Sequence, residues 1–280
     1  MTSSLLLSAT TFIYGLAGFI YLFAWVFRKV SFGSAATGTA LVGLAANTAG
    51  IALRWVESYQ MGFGHAPLSN LYESLIFFAW TIMVIYLYVE RRYGNRVIGA
   101  FSAPLAFLTM AYASLSPNIS DRIQPLIPAL KSNWLIAHVI TCFIGYGAFA
   151  VAFGLSVMYI LKAGRAEQEG GLLGRLPSIA VLDELNHQLV MFGFLFLSAG
   201  IITGAVWANS AWGRYWGWDP KETWSLITWF IYAALLHARM MRGWRGRRIA
   251  YLTLLGFAAV LFTYFGVNLL PGLHSYQISA

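Results

Sequence analysis

Trp134-Leu-Ile-Ala-His-Val-Ile-Thr-Cys-Phe-Ile-Gly-Tyr-Gly-Ala-Phe-Ala-Val-Ala-Phe-Gly-Leu-Ser-Val-Met-Tyr-Ile-Leu161 contains no Asp, Glu, Lys or Arg, and it exceeds the roughly 20 residues that a helix needs to cross a bilayer. Similar apolar runs extend from Leu5 to Phe27, Ala35 to Leu53, Leu71 to Val89, Val97 to Leu115, Leu185 to Val206, Trp224 to Met241 and Ile249 to Leu270. They are continuous, whereas the strands of a membrane β-barrel alternate apolar and polar residues. The 280 residues are 59% hydrophobic and 10% charged, too little polar surface for a water-soluble domain. The sequence therefore predicts an all-α polytopic membrane protein, a bundle of about eight transmembrane helices forming a single integral membrane domain over residues 1–280.

A net charge of +8 would suit nucleic acid only if the cations converged on one surface. They are divided by topology instead. With the N-terminus outside, the inner loops and helix ends hold Arg28, Lys29, Arg91, Arg92, Arg96, Lys162, Arg165, Arg175, Arg239, Arg242, Arg245, Arg247 and Arg248, while the outer segments hold Arg54, Arg122, Lys131, Arg214 and Lys221. This asymmetry predicts both termini and the Trp-rich loop on the outer, periplasmic or lumenal, face of the membrane. The first run is followed by its basic pair and lacks a small-residue cleavage site, so it reads as a retained anchor. Cys142 is the single cysteine, which leaves no CxxC motif and no intrachain disulfide. No repeat of 20–50 residues is visible, nor a pair of Gly/Pro-broken helices of the transporter kind. The Gly-rich, charged stretch from Lys162 to Pro177 reads as a flexible linker.

Six of the 11 tryptophans lie between Trp207 and Trp229. An aromatic belt at the membrane surface accounts for Trp55 and Trp134, but not for Trp212-Gly-Arg-Tyr-Trp-Gly-Trp218. Glycines between rings let the backbone approach a large flat ligand, heme foremost, and Arg214 and Lys221 have the charge to meet two propionates. The reading is a Trp-rich loop over about residues 207–224, ending at Asp219 as helix cap, Pro220 at the first helical position and Glu222 completing a capping box. Asn70 and Glu73 repeat that pattern at the third helix, so Glu73 is expected to cap at the membrane surface and not to be a buried charge.

His138 and His274 share the depth of the Trp-rich loop, and two imidazoles facing a hydrophobic slot are a usual way to hold heme iron. His237 lies near the inner end of its helix, ~20 Å along the axis from Trp224, where an ionisable side chain points to function; snorkelling among Arg239, Arg242 and Arg245 is its bland alternative. His65 is expected to be structural and His187 interfacial.

These residues resemble the CcsA/ResC family of system II cytochrome c biogenesis proteins, within the heme-handling superfamily named for its WWD loop. The resemblance rests on Trp212-Gly-Arg-Tyr-Trp-Gly-Trp-Asp-Pro-Lys-Glu-Thr-Trp224, Trp134-Leu-Ile-Ala-His138-Val, Leu236-His237-Ala-Arg239, Asn268-Leu-Leu-Pro-Gly-Leu-His274-Ser-Tyr276 and His65-Ala-Pro-Leu-Ser-Asn-Leu-Tyr-Glu-Ser74. It implies that His138 and His274 ligate heme b at an outer site. Trp212, Trp216, Trp218, Asp219 and Trp224 of the WWD element would bind the cofactor there, beside Arg214 and Lys221. It implies also that His237 ligates heme within the membrane, with the second ligand from the partner subunit CcsB (ResB). Together the two subunits would form a holocytochrome c synthase, or heme lyase, that attaches heme through thioethers to the CxxCH motif of apocytochrome c. Gln277 stands where a glycine is expected and His187 where an aromatic is usual; neither is a proposed ligand. Two alternatives stay open: a CcmC-type chaperone passing heme to another carrier, and a non-heme membrane transporter.

Overall fold

In a membrane a helix ends where its caps and backbone dictate, and its apolar run marks only the part that lipid must cover. The computed structural model, which describes residues 2–164 and 171–270, has α1 (Ser3–Phe27), α2 (Val30–Gln60), α3 (Leu71–Tyr93), α4 (Gly99–Leu115), α5 (Asn133–Ala163), α6 (Ile179–Trp212), α7 (Pro220–Arg242) and α8 (Arg247–Tyr264). No strand occurs among the described residues. Seven of these helices, all but α7, are long and apolar enough to cross a membrane. The chain is an integral membrane protein with an all-α fold. α7 falls short because it opens on Pro220-Lys221-Glu222 and closes on His237, Arg239 and Arg242.

The largest departures from the expected bounds are at α2 and α6. α6 has 34 residues, ~50 Å at the rise of an α-helix, against a hydrocarbon core of ~30 Å. It stops at Gly213, which takes the left-handed conformation at φ 74° and donates to the Asn209 carbonyl. Trp207 and Trp212 are consequently helical, and the non-helical Trp-rich turn is confined to residues 213–219.

The chain divides into two compact units, Met1–Leu130 with Arg165–Pro177, and Lys131–Gly164 with Ser178–Ala280. Each has the same internal order. α1 packs on α2 and α4, and α3 packs on α4 more than on α2; α5 packs on α6 and α8, and α7 on α8 more than on α6. The correspondence reaches single residues. A Cβ on Gly43 would lie 2.7 Å from the Tyr14 ring and one on Gly50 2.5 Å from Leu7; in the second unit Gly193 meets Phe149 at 2.6 Å and Gly200 meets the Cys142 sulfur at 2.6 Å. Glycines at these places let antiparallel backbones approach closely, which is how helices associate in lipid.

α3 and α7 each have 23 residues, an Asn or Asp cap with Glu at the third helical position, and a left-handed glycine after the last turn, Gly94 and Gly243. A buried charge stands at the same point of both. Glu90 of α3 accepts from the Tyr21 hydroxyl at 2.6 Å, from Tyr86 and from Thr37, with Arg96 at 3.6 Å. Arg239 of α7 donates to Asp183 at 2.8 Å, with Glu184 at 3.5 Å. The repeat has no short sequence period, for it is a repeat of helix order, caps and contact points, of four-helix length.

Candidate functional site

α5 is capped by Ser132, whose hydroxyl accepts from the Trp134 amide at 3.3 Å, and this start places His138 in its second turn. The imidazole lies against α6. Its Nδ1 is 2.7 Å from the Gly200 carbonyl oxygen, so Nδ1–H donates and the lone pair falls on Nε2. Trp207 stacks on the ring at 5.9 Å and 17° and is itself buried. Gly204 supplies the space, for a Cβ there would sit 2.6 Å from Nδ1. Thr141 closes the next turn, bonding back to Ala137 at 2.7 Å and reaching Thr203 at 3.4 Å. Cys142 is buried with its sulfur 3.7 Å from Nδ1, a longer contact than the carbonyl makes.

The Trp-rich turn is held from its far side. Asp219 accepts from the Lys221 amide at 3.0 Å, and Glu222 accepts from the Asp219 amide at 3.1 Å, the expected capping box. Glu222 also accepts from the Gly217 amide at 2.7 Å, which the cap pattern does not foretell. That carboxylate thus fixes both sides of Trp218, a non-glycine residue at φ 57° whose side chain is 69% exposed. A bulky residue in this conformation is strained and persists only where neighbours over-determine it.

Trp207 packs on Trp212 at 5.0 Å beside His138, Trp216 meets Trp218 edge-on at 5.8 Å, and Trp224 lies 4.2 Å from Phe262 of α8. Arg214 folds back over Gly217, where a Cβ would come 2.7 Å from its guanidinium. The Lys221 ammonium donates to the Asn268 side-chain oxygen at 3.4 Å, which ties the start of α7 to the segment after α8.

The other histidines separate clearly. His237 is exposed on the face of α7 that carries Ile227, Phe230 and Met241, opposite the face that buries Arg239. His65 is buried, with Nδ1 3.0 Å from the Ala66 carbonyl and Nε2 2.9 Å from the Gln124 carbonyl, and it pins the segment after α2 to the loop before α5. That is the structural role expected of it. His274 and Gln277 lie outside the described residues. Glu73 corrects half of its expectation: Asn70 caps α3 at 2.9 Å and Glu73 accepts from the Ser69 amide at 2.8 Å as a cap does, but Glu73 is buried, paired with a buried Arg54 at 2.8 Å. Arg54, read as an outer topology charge, is an interior one.

The residues that sequence reasoning passed over are Gly200, Gly204, Trp207 as the stacking ring, and Glu222 as the turn's anchor. The small-residue spacing of Gly193, Gly200 and Gly204 was the available signal, since it marks one face of a helix.

The model of the family described as Cytochrome C assembly protein matches residues 68–274, a span that includes the His138 corner, the Trp-rich turn and His237. The chain belongs to this family. It is 38% identical to a protein of Gloeobacter violaceus named cytochrome c biogenesis protein CcsA, over 92% of this chain and 90% of that one. Proteins of the same name from Synechococcus elongatus and Guillardia theta are each 40% identical, covering 87% and 85% of this chain and 88% and 84% of their own lengths. Among solved structures the fold is similar to that of cytochrome c heme lyase CcmF, with a TM-score of 0.73 and 19% identity, over 95% of this chain and 47% of that one. The chain is a membrane component of cytochrome c biogenesis.

Proposed function

We propose that this chain binds heme b as cargo, carries it across the membrane from an inner site to an outer one, and presents it for attachment to apocytochrome c. The observation that carries this reading is the His138 corner. A half-buried imidazole whose Nδ1–H is committed to a backbone carbonyl, whose plane is stacked on an indole and whose Nε2 keeps its lone pair has the donor chemistry that heme iron takes from histidine. His274 is the second outer ligand in this reading. Trp212, Trp216, Trp218 and Trp224 pack the flat face, Asp219 and Glu222 hold the turn, and Arg214 and Lys221 meet the propionates.

His237 belongs to the inner site. Its exposure on an apolar face of α7 leaves it open to a partner's side chain, and we assign the second inner ligand to CcsB (ResB), as the partner with which the chain forms a holocytochrome c synthase. At the outer site the CxxCH histidine of apocytochrome c displaces one of the two histidine ligands. Each cysteine S–H then adds across a heme vinyl C=C, the sulfur bonding to one carbon and the proton ending on the other, without net oxidation. The chain's share is binding and positioning; the bond chemistry lies with the heme and the thiols. The membrane is a bacterial inner membrane or a thylakoid, with the Trp-rich turn and both termini on the periplasmic or lumenal face.

Purification of the chain with and without CcsB, followed by absorption spectroscopy, tests the reading. The wild type is expected to carry a low-spin, bis-histidine heme spectrum, which the double variant His138→Ala, His274→Ala loses. An unchanged spectrum in that variant removes the outer site from the proposal, and a colourless wild type removes heme altogether.

A further inference from the structure

We infer that α6 chooses which nitrogen of His138 is offered to a metal, through Gly200 and Gly204 as positioning residues; this rests on the assignment of His138 as an iron ligand. Four observations converge on one ring. The Gly200 carbonyl takes Nδ1–H at 2.7 Å. It is available at that distance although α6 is helical there, and the Thr203 hydroxyl also donates to it at 3.1 Å. The missing Cβ of Gly204 lets the imidazole sink against the backbone, since a methyl would stand 2.6 Å from Nδ1 and 2.7 Å from Cε1. Trp207, one turn further, covers the ring at an interplanar angle of 17° and so sets its rotation.

The competing partner for Nδ1 is the Cys142 thiol at 3.7 Å, and the much shorter carbonyl contact prevails. A carbonyl oxygen only accepts, so the tautomer is Nδ1–H, and Nε2 is left as the donor atom with its basicity raised by the bond behind it. A ring displaced by a Cβ at position 204 loses that carbonyl and gains freedom to present either nitrogen. The glycines therefore act on ligand orientation and iron potential without touching the cargo.

Nitrogen-15 NMR of histidine-labelled chain, purified free of heme in detergent, reads the tautomer directly. His138, assigned by comparison with His138→Gln, is expected as Nδ1–H; a predominant Nε2–H tautomer overturns the inference even if heme binding is normal. In heme-loaded protein, Gly204→Ala should retain heme about 10–100-fold less tightly, shift the reduction potential, and recover a low-spin spectrum on addition of free imidazole. Gly38→Ala, at a position with open space around it, is the control and should leave spectrum and potential unchanged. An unaltered spectrum and potential in Gly204→Ala also overturns the inference. If His138 shows the Nδ1–H tautomer but the protein binds no heme, the positioning stands and the heme reading fails.

Discussion

The two four-helix units present the same corner with opposite chemistry. Four residues beyond Gly50 on α2 stands Arg54, and four before Leu7 on α1 stands Ser3; four beyond Gly200 on α6 stands Gly204, and four before Cys142 on α5 stands His138. In the first unit the large polar group is on the second helix and the small one opposite. Arg54 is fully buried, bonded to Glu73 at 2.8 Å and to the Asp121 carbonyl at 2.8 Å, and lies over the Tyr72 ring at 5.0 Å. In the second unit the glycine is on the second helix, and the imidazole opposite keeps one nitrogen unspent. One scaffold thus yields a corner sealed by its own ion pair and a corner left competent for a ligand. Helix packing sets the place, and a pair of residues sets the chemistry.

The largest expected effect breaks the sealed corner. Glu73→Ala strands a buried guanidinium and should cost about 3–5 kcal/mol, whereas Arg54→Leu with Glu73→Leu should be nearly neutral; denaturant titration of the purified chain compares them, and equal losses would refute the pairing. Next, Gly50→Val and Gly200→Val test the equivalence itself. Both overpack a close helix contact at about 1–3 kcal/mol, yet only Gly200→Val should change the heme spectrum, so a matching spectral change from Gly50→Val would dissolve the distinction.

Smaller effects concern the Trp-rich turn between α6 and α7, whose counterpart between α2 and α3 carries no tryptophan. Glu222→Ala removes the acceptor of the Gly217 and Asp219 amides, with a loss of about 0.5–2 kcal/mol and faster proteolytic cleavage between Gly213 and Asp219; unchanged cleavage would show that the turn holds itself. Trp218→Ala is expected to alter stability by no more than about 0.5 kcal/mol because the ring is exposed. The yield of holocytochrome c in cells should fall all the same, and normal yield would release Trp218 from the site.

Much of this was legible without coordinates. Charge-free runs such as Trp134–Leu161 can be solvated only by lipid or other helices, so composition and periodicity dictate the membrane bundle. Asp219, Pro220 and Glu222 announce the start of α7 because caps are local chemistry. The helix ends were harder: α6 continues to Trp212 because backbone hydrogen bonding does not require apolar side chains, so hydropathy stops reading before the helix does. Glu73 misled for a related reason, since a cap and a buried ion pair use the same carboxylate and its partner Arg54 lies on a different helix.

The sequence by itself determined that this chain is a helical membrane protein, put His138 at the depth of a tryptophan-rich segment, and carried the motifs of its family. Those features are local, or sums over local terms. Tertiary structure alone decided that Gly200 and Gly204 cradle His138, that Arg54 is interior, and that the two halves repeat one packing scheme. Each depends on a contact between helices, and in lipid such contacts are set by close steric fit and polar partners across the interface, which no single stretch of chain contains.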